Sequence, residues 1–133
     1  MMVCSLAALA LVLRTDVPRP DCVAIKAGCS QIVVQGMTCT NSHGVSIGSL
    51  GQGSDDTVQH VKVAKCTFDG GMAAARIKTI PGAKNGLVSD VSYSNIQVSN
   101  VQNAIEVDQC YENLAACQSK PVSAAASAHA LPC

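Results

Sequence analysis

Asp21, His43, Arg76 and Lys78 are the side chains of this chain whose chemistry stands out. A carboxylate can take a proton from water, an imidazole titrates near neutral pH and can tune a neighbouring carboxylate, and a guanidinium beside an ammonium can grip an anion. Together on one groove they would suit an acidic polysaccharide. His43 sits in Ser42-His43-Gly44-Val45-Ser46-Ile47-Gly48-Ser49. The glycine after it lets backbone come close to a ligand, and the small residues that follow would leave the surface open. For an arbitrary His-Gly pair, a hydrogen-bonded turn histidine is the plain alternative. The four residues can act together only if the fold brings positions 21, 43, 76 and 78 into one place.

A repeat supplies the means. Short alternating segments recur at Val23-Ala24-Ile25-Lys26, Val45-Ser46-Ile47-Gly48, Ala75-Arg76-Ile77-Lys78 and Ile105-Glu106-Val107-Asp108. A second series reads Ile32-Val33-Val34, Val61-Lys62-Val63 and Val91-Ser92-Tyr93, and a third contains Met37, Cys66 and Ile96. All three advance in step, 22 to 30 residues at a time. Strand series in constant phase, separated by Gly, Asn, Asp and Ser turns, mark a solenoid with one coil per repeat. The expected fold is all-β, a right-handed parallel β-helix of about four coils. An antiparallel sandwich would bring hairpin turns every ~8–12 residues and leaves the longer common period unexplained.

In such a stack, equivalent positions of successive coils lie about 4.8 Å apart. Asp21 is four residues before Ile25 and His43 four before Ile47, so the two should be neighbours at one sheet edge. Arg76 and Lys78 flank Ile77, and with an inward isoleucine both cations point out. Glu106 falls one repeat after Arg76, so an ion-pair ladder along the stack is a second use for that arginine.

Composition narrows the rest. The chain has 133 residues, 48% of them hydrophobic, with no Trp, one Phe (Phe68) and two Tyr, so its interior comes from Val, Ile, Leu and Ala in thin layers. Nine basic and nine acidic residues cancel without runs of either sign, which removes the electrostatic footprint of a nucleic-acid binder. Eight cysteines fit an oxidising compartment. A zinc site would have to use Cys39 and His43 with Cys22 or Cys29, but there is no C-x-x-C pair; no metal or other cofactor is expected.

The blocks Asp21-Cys22, Ser42-His43-Gly44-Val45-Ser46-Ile47-Gly48-Ser49-Leu50-Gly51 and Arg76-Ile77-Lys78, in that order and spacing, resemble the signature of the polygalacturonases, pectin-degrading glycoside hydrolases of family 28. Ser92-Tyr93-Ser94-Asn95-Ile96 and Asp108-Gln109-Cys110-Tyr111 match as well, so the resemblance runs from about Asp21 to Tyr111. It implies secretion, a parallel β-helix, and inverting hydrolysis of α-1,4 links between galacturonic acid units. It also implies Asp21 and His43 as catalytic residues, Arg76 and Lys78 as ligands of the substrate carboxylate, and Tyr111 lining the sugar cleft. A Cys22–Cys39 disulfide is implied in the same way, while Cys110 and Cys117 could close a short loop. In the family an Asn-Thr-Asp block supplies one aspartate and an Asp-Asp-Cys block two. Here the second block reads Pro20-Asp21-Cys22, so a proline stands where the family has its general acid, and Asp21 matches the aspartate that helps activate water. Thr15-Asp16 looks like a remnant of the first block, but too few residues intervene for its role to be carried over.

Residues 1–20 are expected to be a signal-like or wrongly assigned leading segment, residues 21–117 a partial β-helix domain lacking both ends of the solenoid, and residues 118–133 a loosely ordered Ala/Ser-rich tail. Met1 to Leu13 has an apolar run of signal-peptide length, too short for a membrane span. The expected partner is polygalacturonate or a pectin oligosaccharide, with no nucleic acid and no membrane, and the chain is expected to be a monomer. Two functions follow: a polygalacturonase-type hydrolase, exo or endo, with Ser42 before His43 closer to exo-acting fungal relatives; or a catalytically inactive segment that at most binds pectin.

Overall fold

The computed structural model describes residues 2–3, 14–15, 20–53, 56–82, 86–112 and 114–119. Its strands are β1 (Met2–Val3), β2 (Arg14–Thr15), β3 (Val23–Ile25), β4 (Ser30–Gln35), β5 (Thr38–Ser42), β6 (Val45–Leu50), β7 (Asp56–Ala64), β8 (Thr67–Thr79), β9 (Gly86–Ser94) and β10 (Gln97–Asp108), followed by the short helix α1 (Leu114–Ser119). Every strand pairing among them is parallel, which excludes the sandwich. The architecture is a parallel β-helix.

The apolar columns fall in the expected register. Ile25 lies beside Ile47, Ile47 beside Ile77, and Ile77 beside Val107. The second series stacks as Ile32, Val61 and Val91, forming the face β4-β7-β9. A third face is built from β5 and the N-terminal halves of β8 and β10, with Cys39, Phe68 and Val98 in one column. Alternate residues point inward, so Val23, Ile25, Val45, Ile47, Val61, Val63 and Phe68 are buried. Each such side chain removed from water contributes roughly 1.5–3 kcal/mol toward the stacking.

Burial weakens toward the last coil. Val107 continues the isoleucine column but is 57% exposed, and Ile105 is 77% exposed, because among the described residues no further strand covers β10. The expectation that the fourth segment forms core therefore holds for register and not for burial. At the other end, Met2–Val3 pairs with β3 and Arg14–Thr15 with β5, adding two short strands ahead of the first complete coil. Asp16, Cys4, Cys133 and the tail from residue 120 lie outside the described residues, as does most of the segment expected to be signal-like. No helix among the described residues is long and apolar enough to cross a membrane.

The corners repeat as regularly as the strands. Gln31, His60 and Asp90 occupy one corner column, Gly36, Lys65 and Asn95 a second, and Asn41, Gly70 and Asn100 a third; all nine have positive φ. A single left-handed residue turns the chain from one face to the next, and stacking lets neighbouring corners hydrogen-bond. His60 and Asp90 meet at 2.7 Å, and Asp69 accepts from Ser99 and Asn100 at 2.7 and 2.9 Å.

Between the first and second faces the coils differ in length: seven residues separate Ile25 from Ile32, but fourteen separate Ile47 from Val61. The extra chain forms a loop held from within by Asp56, a buried carboxylate that accepts the backbone N–H groups of Gly51, Gln52 and Gly53. These bonds, Gly51's first and Gly53's next, outweigh the effect of burial and hold its carboxyl below the usual carboxylate range. A depressed folded-state value contributes stability that is present above the unfolded value and lost as pH falls through the folded one. Asp56→Asn is accordingly expected to flatten the acid limb of a stability–pH curve below about pH 4 while lowering the plateau above it. Urea midpoints of both proteins across pH 2–7 would check this; parallel curves would refute it.

Candidate active site

Asp21 reaches across the outer face of the sheet from just before β3. Its Oδ1 accepts the Ser46 hydroxyl at 2.7 Å and lies 3.7 Å from His43 Nδ1, while its Oδ2 faces Lys78 Nζ at 3.4 Å. Stacking makes this possible: His43 directly precedes Gly44 and β6, and its backbone N–H bonds to the Pro20 carbonyl, which locks the two coil edges together. Cys22 forms a disulfide with Cys39, with 6.1 Å between their α-carbons, and fixes the residue next to Asp21 to the third face. With Cys22 and Cys39 joined, neither supplies a thiolate to a zinc ion, and the described residues contain no cluster of metal-ligating side chains.

Arg76 and Lys78 occupy the outer face as the register requires, but they are not solvated. They are 6% and 4% exposed, against the expectation of an open groove. The cover comes from carboxylates on the adjoining coils and from Tyr111, whose ring centroid lies 5.5 Å from the Arg76 guanidinium carbon and 5.0 Å from Lys78 Nζ. Arg76 contacts Glu106 Oε1 at 3.2 Å and approaches Asp108 Oδ2 at 3.9 Å. The ladder between Arg76 and Glu106 is thus present. Tyr111 follows β10 in a turn held by its N–H to the Thr79 carbonyl and by the Cys110–Cys117 disulfide, which ties the turn to α1. Burial, and then the Glu112 charge, pushes its phenol up, with Arg76 opposing, so the ring stays protonated and keeps its hydroxyl proton to donate.

The segment after His43 is likewise closed where an open surface was expected. Gly44, Ser46 and Gly48 are buried. Gly44 has φ +68°, and a β-carbon there would lie 2.2 Å from the Ala74 carbonyl oxygen, so the close approach that needs glycine is to the next coil and not to a ligand. Lys26 donates to the Gly48 carbonyl at 2.8 Å across the same face.

All five residues singled out from sequence, Asp21, His43, Arg76, Lys78 and Tyr111, converge on one cluster. Two further members have no role assigned to them in the sequence reading. Ser46, with 0% exposure, lies beside Arg76 in register and presents its hydroxyl to Asp21; Asp108 lies beside Lys78. The same two-residue period that turned Arg76 outward would have found Ser46. Three carboxylates therefore face a guanidinium, an ammonium and one imidazole. Such a cluster can hold a carboxylate ready to take a proton, and it can exchange an internal anion for an external one.

Comparison with known proteins bears on what that chemistry serves. The family profile described as "Glycosyl hydrolases family 28" matches residues 14–127. A "Probable endo-xylogalacturonan hydrolase A" of Emericella nidulans is 45% identical over 105 residues, covering 76% of this chain and 26% of that protein. A "Polygalacturonase" of Gossypium barbadense is 39% identical over 92 residues, covering 68% of this chain and 23% of that protein. The crystal structure of endo-xylogalacturonan hydrolase from Aspergillus tubingensis superposes with a TM-score of 0.70 at 35% identity, over 75% of this chain and 28% of that one. The chain spans about a quarter of the length of the curated relatives it matches.

Proposed function

The chain belongs to glycosyl hydrolases family 28, and from that premise we propose that it carries the water-activating and substrate-binding half of a polygalacturonase-type site. The substrate is a pectin chain, cleaved at α-1,4-galacturonosyl links. Asp21 acts as the base: it takes a proton from the water that attacks the anomeric carbon from the side opposite the leaving oxygen, with inversion, and the leaving oxygen takes its proton from solvent water. Ser46 and Lys78 hold that carboxylate in place, with the His43 imidazole 3.7 Å away. Arg76 and Lys78 receive a substrate carboxylate, and Tyr111 offers the sugar an aromatic wall. Since pectin lies outside cells, the protein acts after secretion, as a monomer.

The observation that carries this reading is the meeting of Asp21, His43, Arg76, Lys78 and Tyr111, drawn from four separate stretches of sequence, on one face of the stack. A second reading is favoured by Pro20, whose ring has no proton to give a leaving oxygen: the chain binds pectin and does not cleave it. Incubating the chain with polygalacturonate and measuring both reducing ends and oligogalacturonate affinity separates the two. Binding that weakens roughly tenfold or more in Arg76→Met is expected under either. Release above an Asp21→Asn control supports the hydrolase. Absence of any uronate binding in a chain shown by circular dichroism to be folded would sink both.

A further inference from the structure

We infer that Glu106 is an internal competitor for the cleft: its carboxylate occupies the Arg76 guanidinium in the place an acidic sugar would take, and so sets how tightly and how selectively a uronate binds. The inference rests on the reading of this face as a pectin cleft.

The two cations are held differently. Lys78 is paired to Asp21, whose oxygens are used on both sides, by the Ser46 hydroxyl at 2.7 Å and by the ammonium at 3.4 Å. Arg76 is paired to Glu106 through one Nη and one Oε only, at 3.2 Å. Arg76 Nε and Glu106 Oε2 are both buried and without a hydrogen-bond partner among the described residues. A guanidinium and a carboxylate reach full strength as a two-pronged pair with two parallel N–H···O bonds. This contact uses half of that capacity and leaves a buried donor and a buried acceptor unsatisfied, each at a cost. The pair is therefore the exchangeable one. An incoming carboxylate that took both Nε and Nη would satisfy the donor, and the displaced Glu106, already about one-fifth exposed, could turn to water.

Charge points the same way. Among the groups in direct contact, three carboxylates, Asp21, Glu106 and Asp108, stand against two cations, Arg76 and Lys78. A uronate entering without displacement of Glu106 meets like charge at close range, whereas a neutral sugar does not. Glu106 thus weakens acidic ligands selectively and leaves the rest of the surface unchanged.

Glu106→Gln keeps the shape and an acceptor oxygen for Arg76 but removes the charge. In the full chain it is expected to bind trigalacturonate at least roughly tenfold tighter than the wild type by calorimetry, with affinity for neutral galactotriose unchanged. A second measurement needs no variant. On titrating the wild-type chain with trigalacturonate, the Arg76 Nε–H resonance and the Glu106 side-chain carboxyl resonance are expected to move with one midpoint, because release of one partner and capture of the other are a single event. Equal trigalacturonate affinity in wild type and Glu106→Gln, or an Arg76 signal that moves while that of Glu106 does not, would overturn the inference and leave the pectin reading standing. Failure of both proteins to bind trigalacturonate would overturn the pectin reading and this inference with it.

Discussion

Replacing Pro20 with aspartate is expected to raise reducing-end release from polygalacturonate by roughly a hundredfold, the lower range of what a positioned general acid contributes. That factor corresponds to about 2.7 kcal/mol of barrier. The site is prepared for the change. Pro20 is exposed, its carbonyl is already held by the His43 N–H, and it directly precedes Asp21, so a side chain grown there starts from a fixed backbone beside that carboxylate. Aspartate adopts the backbone angles of proline without strain, and the carbonyl contact is retained. The new acid works only while protonated, so the variant should show a rate that falls as pH rises, a limb absent from the parent chain. Combining Pro20→Asp with Asp21→Asn should return the rate to background, because acid and base act on one event. If Pro20→Asp releases no more reducing ends than Asp21→Asn, proton donation is not what limits the chain.

That experiment separates two properties that the fold has joined. Asp21, Lys78, Ser46 and His43 form a contact set complete in itself, while the neighbouring Pro20 has no side-chain proton to donate. On the proposed reading, binding draws on Arg76, Lys78 and Tyr111 alone, so a pectin cleft without cleavage is one expected outcome, and occupancy would then turn on the Glu106 contact.

Much of this was legible from residue order alone, for a physical reason. Inward positions of a stacked coil must be apolar at every level, so Ile25, Ile47, Ile77 and Val107 advertise their register, and once that is known Asp21 and His43 follow by counting. The corners were hidden. Left-handed backbone is ordinarily flagged by glycine, but here Gln31, His60, Lys65, Asp90 and Asn95 adopt it, because the pairing of flanking strands imposes the turn whatever the side chain. Burial of Arg76 and Lys78 was hidden too. It depends on Glu106, Asp108 and Tyr111 folding over them from about thirty residues away, and alternation reports only which face a residue occupies, not what lies above it.

Phe68→Ala is expected to be the most destabilising single truncation in the chain, costing about 3–5 kcal/mol. Phe68 is the only phenylalanine, 1% exposed and among the largest fully buried side chains, in a described interior otherwise assembled from Val, Ile, Leu, Met, Cys and Ala. Small neighbours cannot swing in to fill the space of an aromatic ring, because β-branched side chains in paired strands have few rotamers. Against total stabilities of about 5–15 kcal/mol, such a loss would leave a substantial unfolded fraction at physiological temperature. The damage should reach the cleft. Phe68 lies beside Cys39 in register, Cys39 is bonded to Cys22, and Cys22 is the residue after Asp21. A cavity under Cys39 therefore loosens the anchor of the Asp21 carboxylate, and Phe68→Leu, which refills most of the volume, should restore both properties together. Urea unfolding paired with trigalacturonate calorimetry on the three proteins would check this. A loss of unfolding free energy below about 1 kcal/mol for Phe68→Ala would mean that the coil interior is not packed around that ring.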